Sequence, residues 1–224
     1  MQRALREGLV VVTLGTTNAY VAEELLGNPI ERERFCAGYI GEDLTRLPVE
    51  RQAKPLVLRR GEPVELSPDE TLAQLKAGDV LVKGANVLDP SGVCGVFMAS
   101  PAGGTVGKFA LPAVARGVEI VIPISRAKCI HGSVAALARE VGIERVDAAT
   151  GSAVGLCPLV GTVVTEVEAV ALLYGVRAEH LASEGVGRGT GAVTLLLMGG
   201  EADVGKAFAE LSALAPTEPP PTVG

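Results

Sequence analysis

Tryptophan is absent from this 224-residue chain, aromatic residues make up 3% of it, and histidine occurs only twice. A core without large rings has to be assembled from small aliphatic side chains, and Val, Ala, Leu and Gly dominate a composition that is 48% hydrophobic. That mixture suits a buried sheet with helices packed closely onto it. With His131 and His180 the only imidazoles, no Ser-His-Asp or Cys-His-Asn arrangement is expected. The four cysteines (Cys36, Cys94, Cys129 and Cys157) lack any C-x-x-C pair. Without a secretory pattern in Met1–Glu7 they read as reduced thiols of a cytoplasmic protein. Cys129-x-His131 offers two metal ligands, but with one further imidazole in the chain it reads as a buried thiol beside a loop histidine. Neither a metal nor a cofactor is expected. No apolar run approaches the ~20 residues of a membrane helix, so no membrane partner is expected. A net charge of −6 with acids and bases interspersed lacks the concentrated basic surface that nucleic acid needs. An anionic ligand must then be held locally, by helix N-termini and one or two lysines.

What the chain does contain is an alternation of short apolar runs with helical segments. Leu9–Leu14 reads as a strand closed by Gly15-Thr16-Thr17-Asn18, Ala19–Leu26 as a helix ended by Gly27-Asn28-Pro29, and Arg34–Ile40 as a second strand. Pro55–Leu66 reads as a hairpin about Arg60-Gly61-Glu62, and Ser67-Pro68-Asp69-Glu70 opens a helix to about Lys76. A buried strand comes next at Asp79–Lys83, then a short run at Gly95–Ala99, a helix over 105–116 and a strand at 118–124. A helix over 133–141 and a strand over 143–148 complete the series. Alternation of this kind marks a mostly parallel sheet covered by helices on both faces, an α/β architecture. Beyond about residue 153 the order becomes β-α-β-β-α: an apolar run at 154–164, a helix from Thr165 to Tyr174, extended runs at 176–186 and 192–198, and a helix over Glu201–Leu214. This fits a small ferredoxin-like α+β domain. The Pro-rich tail, 215–224, is expected to be disordered.

Ligands of open α/β sheets bind beyond the carboxyl ends of the strands, which makes the loops there the candidate sites. Gly15, Thr16, Thr17 and Asn18 lie between a strand and a helix, where free N–H groups and two hydroxyls make an anion cradle, or simply a turn and an N-cap. Lys83, Asn86 and Asp89 come directly after the Val80–Val82 run. A lysine there can neutralise an anion or have its pKa lowered, and an Asp can act as general base, although Asp89-Pro90-Ser91-Gly92 is a good turn by itself. Gly103, Gly104, Thr105 and Lys108 form a Gly-rich connection before a helix. It is not a nucleotide P-loop, because Ala102 and Phe109 stand where a Gly and a Mg²⁺-binding hydroxyl are required. Gly185–Gly191 reads as a hairpin loop.

These pieces resemble a known superfamily. Gly15-Thr16-Thr17-Asn18-Ala19-Tyr20 with Glu23-Glu24-Leu25 resembles the phosphate loop and helix of ribose-5-phosphate isomerases, and Gly84-Ala85-Asn86-Val87-Leu88-Asp89-Pro90 resembles their Asp-Gly-Ala-Asp-Glu-hydrophobic-Asp-Pro segment. Gly104-Thr105 through Ala110, Ala115, Gly117-Val118 and Val121-Ile122-Pro123 is similar to a pattern of methylthioribose-1-phosphate isomerases and initiation-factor-2B-like proteins. All belong to the ribose-5-phosphate isomerase, glucosamine-6-phosphate deaminase and CoA transferase-like superfamily. The resemblance implies a Rossmann-like core over 1–152, a ferredoxin-like domain over 153–214, a homo-oligomer, and a site for a small phosphorylated or anionic metabolite. Thr16, Thr17 and Asn18 would receive the phosphate, Lys83 and Lys108 supply charge, and Asp89 orient a hydroxyl or act as base. Lys83 and Asn86 replace two of the isomerase carboxylates, so the usual aldose–ketose proton shuttle is not expected. A CoA transferase would need a Glu near a strand end, for which Glu119 is the nearest acid. A non-catalytic ligand sensor or assembly protein on the same fold is the rival expectation.

Overall fold

The protein, as a computed structural model, is described over residues 1–214. The tail expected to be disordered, 215–224, lies outside the described residues. The elements run α1 (Gln2–Glu7), β1 (Leu9–Val12), α2 (Thr16–Leu26), β2 (Gly38–Ile40), β3 (Leu44–Arg46), β4 (Leu56–Arg59), β5 (Glu62–Pro63), α3 (Pro68–Gln74), β6 (Val80–Val82), β7 (Val87–Leu88) and β8 (Cys94–Met98). A π-helical turn, Val106–Ala110, then leads into α4 (Leu111–Ala115). The rest is β9 (Glu119–Pro123), α5 (Val134–Leu137), β10 (Gly155–Leu159), β11 (Thr162–Val164), α6 (Glu166–Tyr174), β12 (Arg177–Ser183), β13 (Val193–Met198) and α7 (Glu201–Leu214).

Six strands form a mostly parallel sheet in the order β11-β9-β6-β1-β4-β5. Neighbours from β11 to β1 are parallel, and the β4–β5 hairpin adds an antiparallel edge. Alternate side chains of each strand point to opposite faces, and here both faces are dry. Leu9, Val11 and Leu81 pack with Val106, Phe109, Ala110 and Ala113 on one side. Val10, Val12, Val80 and Val82 pack with Ala4, Ala19 and Ala22 of α1 and α2 on the other. The central strands therefore read as unbroken Val/Leu runs. A second, antiparallel sheet, β10-β8-β7, joins the first of these cores through Leu88, Cys94, Val96 and Leu159.

Local chemistry explains several boundaries. Ser67 and Glu70 close a capping box at α3, as Thr165 and Glu168 do at α6. Arg60 and Gly61 take φ of 52° and 86°, the two left-handed residues of the tight turn between β4 and β5. The expected helix over 105–116 starts as a π turn, because Pro112 has no N–H for the α ladder. The helix expected over 133–141 is cut to Val134–Leu137, where the bonds tighten to Arg139 N–Ala136 O and Glu140 N–Leu137 O. The strand expected over 34–40 is confined to Gly38–Ile40, after a 3-10 turn at Arg32–Arg34.

Two expectations are corrected. Residues 143–148 form turns rather than a strand, because the Arg145 and Val146 N–H groups fold back onto Gly142 O. The boundary expected at 152/153 precedes two strands that complete the first unit: β10 pairs with β8, and β11 pairs with β9. The chain beyond β11 forms one antiparallel hairpin, β12–β13, with α6 and α7 around Val170, Val176, Ala178 and Ala207. The strand expected to open a ferredoxin-like βαββαβ layout is thus used by the core sheet. Among the described residues no helix is long and apolar enough to cross a membrane.

Asp79 fastens the amino ends of β1 and β6. It is 2% exposed, and its two carboxylate oxygens accept from Leu9 N at 2.8 Å and Lys76 N at 2.9 Å. Asp79→Ala leaves one buried and one partly buried N–H donor without a partner, and the expected loss in urea denaturation is about 1–3 kcal/mol.

Candidate functional site

Beyond the carboxyl ends of β1, β6 and β9 lies a cleft of about 450 Å³. Its floor is made by Gly15–Thr17 after β1 and Lys83–Asn86 after β6, with Lys128 reaching in from the turn after β9. The Gly103–Thr105 connection and Lys108 close one side, and Tyr39, Thr45 and Arg46 of the β2–β3 hairpin the other. Among the described residues four cationic side chains, Arg46, Lys83, Lys108 and Lys128, line this space, and no Asp or Glu does. Half of the six lysines of an acidic protein therefore converge on one cavity.

Lys83 is the most constrained of them. Its backbone N–H continues the sheet ladder to Val121 O at 2.9 Å, so the side chain leaves the strand at a fixed point. The residue is 6% exposed, and Nζ donates to Gly84 O at 2.9 Å. Lys128 Nζ donates to the next carbonyl, Ala85 O, at 3.2 Å. Neither ammonium is ion-paired among the described residues. Burial first, and the Lys128 charge second, push the Lys83 amine down from 10.5 to about 8. Burial lowers Lys128 too, with Glu166 opposing.

The start of α2 faces the same space. Gly15 is its N-cap, no side chain caps the helix, and the first-turn N–H groups have no partner within the helix. Thr16 and Thr17, expected in a loop, are its first two residues. Asn18 is a correction: it is fully buried and absent from the cleft lining. Its Nδ2 donates to Thr13 O at 2.8 Å and Val82 O at 3.3 Å, clipping α2 to the ends of β1 and β6. Its Oδ1 has no partner and lies 3.2 Å from where a Cβ on Gly84 would stand. Asn86 lines the cleft, but its Oδ1 is engaged by Phe97 N at 2.9 Å, which ties the loop to β8.

Asp89, expected to be catalytic, lies outside the cleft. Its Oδ1 accepts from Ser91 N, Ser91 Oγ and Val93 N at 2.6–3.0 Å, and its Oδ2 from Val134 N at 3.0 Å. The Ser91 hydroxyl, then these N–H groups, hold its carboxyl below the ordinary 3.8. It is the turn-former that Asp-Pro-Ser-Gly allows. Glu119 stands at the amino end of β9, opposite the cleft, where it pairs with the Met1 amine at 3.8 Å. The Gly185–Gly191 loop joins β12 to β13, and none of its glycines lines the cleft. Cys129, expected to be buried, is exposed, because it caps the 3-10 turn Arg126–Lys128 facing outward. No group of three or more His, Cys, Asp or Glu side chains placed to hold a metal occurs among the described residues.

Sequence reasoning missed Lys128, Arg46 and Tyr39. Lys128 carried a usable signal, since it comes after the end of β9 much as Lys83 comes after β6. Arg46 and Tyr39 had none: they reach the cleft because Leu44 pairs with Gly151, a contact between distant segments.

The lowered Lys83 amine predicts how stability depends on pH. Below about 8 the amine is charged in both the folded and unfolded states, and the cost of burying it is fully present. From there to the ordinary 10.5 the folded protein sheds the proton first, so stability rises with pH. Lys83→Met removes this slope and stabilises the protein at pH 7 by about 1–3 kcal/mol, measured by urea denaturation across the pH range. Asp89 behaves oppositely: its contribution is present above 3.8 and is lost as pH falls through its lower folded value. Asp89→Asn removes that acid-side loss, seen as a shifted acid-unfolding midpoint, and leaves anion binding in the cleft unchanged.

No family model, no curated protein and no solved structure matches the chain.

Proposed function

We propose that the cleft binds a small phosphorylated or otherwise anionic metabolite, as a divergent sugar-phosphate isomerase-like or CoA transferase-like protein lacking the usual catalytic Asp pair. The observation that carries this reading is the charge of the lining: among the described residues, four cations and no carboxylate, in a protein of net charge −6. Cations gathered in a partly buried cavity cost stability unless an anion repays them. The α2 amino end adds unpaired N–H groups and the positive end of a dipole to the same place. The ligand's charged group sits against Thr16, Thr17, Lys108 and Lys128. The rest of it lies along Lys83 and Asn86 towards Tyr39 and Arg46.

With Asp89 committed to its turn, no acid of the isomerase-like segment faces the ligand. A carboxylate proton shuttle is therefore not part of the proposal. The same fact favours, as a second reading, a ligand sensor with no turnover.

Isothermal titration at low ionic strength with inorganic phosphate and a panel of sugar phosphates and nucleotides tests the binding. Saturable binding at one site is expected, weakened roughly tenfold by Lys128→Ala or by Thr16→Ala/Thr17→Ala, the loss of about one charge-assisted contact. Affinity falls as pH rises through about 8, where Lys83 loses its charge. Absence of binding across the panel, or affinities that ignore these substitutions, contradicts the proposal.

A further inference from the structure

We infer that Lys83 is a covalent catalytic residue: its side-chain amine, set beside Lys128 at the floor of the cleft, forms an imine with the carbonyl carbon of a phosphorylated aldehyde or ketone. The inference rests on the anion-binding reading of the same cleft and adds the reacting group of the ligand. A nucleophilic amine must be neutral, positioned and not committed to a carboxylate. Lys83 meets each demand by geometry. It issues from a strand buried on both faces, its Nζ donates to its own neighbouring carbonyl, and it faces a space that no described Asp or Glu lines. Lys128 is held on the adjacent carbonyl and places a second ammonium beside it. Burial with a like charge alongside is the arrangement that activates a lysine. With the amine at about 8, roughly one-tenth is neutral at pH 7, against a few parts in ten thousand for an ordinary lysine.

The step balances without an oxidant or a reductant. The Nζ lone pair adds to the carbonyl carbon, and the carbonyl π pair moves to oxygen, which takes a proton from the Lys128 ammonium. The nitrogen then releases a proton to water, and the hydroxyl takes another and leaves as water. One C–N bond forms, the carbonyl oxygen departs, and a net proton is retained as the iminium. That cation draws electrons from the adjacent carbon, whose C–H or C–C bond becomes the labile one.

Trapping tests this directly. The full chain is incubated with glyceraldehyde 3-phosphate and sodium cyanoborohydride, which reduces an iminium to a stable amine, and the labelled lysines are mapped by mass spectrometry. Lys83 is expected to label about tenfold or more faster than Lys54, Lys76 and Lys206. Inorganic phosphate is expected to compete, and the adduct to vanish in Lys83→Arg, whose fold is checked by circular dichroism. In Lys128→Met the half-point of the pH profile for labelling by uncharged glyceraldehyde, which brings no phosphate to raise the amine, moves upward from about 8, a change that a purely structural Lys128 would not cause. Equal labelling of all lysines, or an unlabelled Lys83 in protein that binds phosphate by titration, overturns the inference while leaving the anion reading intact. Labelling of Lys83 by uncharged glyceraldehyde in protein that binds no phosphate upholds the amine and removes the anion reading.

Discussion

A positive charge held in the interior without a counter-charge is the constraint around which this protein is arranged. The strand β6 carries a polar residue at each end of a fully buried Val-Leu-Val segment. At the amino end, Asp79 is satisfied by two backbone N–H groups and serves as a fastening. At the carboxyl end, Lys83 meets a carbonyl, another lysine and a cavity. A chain with 26 acidic residues has ample means to neutralise a buried ammonium. That no described Asp or Glu lines the cleft, which also holds Lys108, Lys128 and Arg46, makes the cleft costly when empty and favourable when an anion enters.

The scaffold keeps that cleft open by spending its other polar groups on itself. Asn18 locks the start of α2 to the ends of β1 and β6, so Gly15, Thr16 and Thr17 stay at the cleft. Gly84 lets Asn18 pack against the strand end, where a Cβ would come within 3.2 Å of its Oδ1. Asn86 braces the loop against β8, and Asp89 closes the turn beyond it. The conspicuous polar residues of the sequence therefore divide into braces and cleft-facing groups, and among the described residues the cleft-facing charges are all cationic.

How much of this was legible depends on how local the cause is. Helix starts signalled by Ser67/Glu70 and Thr165/Glu168, the Arg60-Gly61 turn and the α7 span Glu201–Leu214 arise from neighbouring residues and were readable. So was the delivery of Gly15, Thr16, Thr17 and Lys83 to one edge, because parallel strands place their carboxyl ends together, whereas Gly103–Lys108 arrives from the antiparallel strand β8. Asp89 and Lys83 looked equivalent as polar residues after a strand. What separates them is that Asp89 finds Ser91 and Val93 within its own turn, while a lysine's long side chain is drawn along the strand end. The position of Thr162–Val164 in the core sheet, and the arrival of Arg46 at the cleft, depend on contacts between distant segments, which carry no local signal.

The most direct test of an unpaired interior charge that awaits an anion is an NMR titration of the Lys83 side chain, with ¹⁵N- and ¹³C-labelled lysine, in the absence and presence of phosphate. The expected midpoint is near 8 for the free protein and rises towards the ordinary 10.5 when phosphate binds, because an anion stabilises the charged form. A midpoint near 10.5 without ligand, or one that phosphate leaves unmoved, would contradict it.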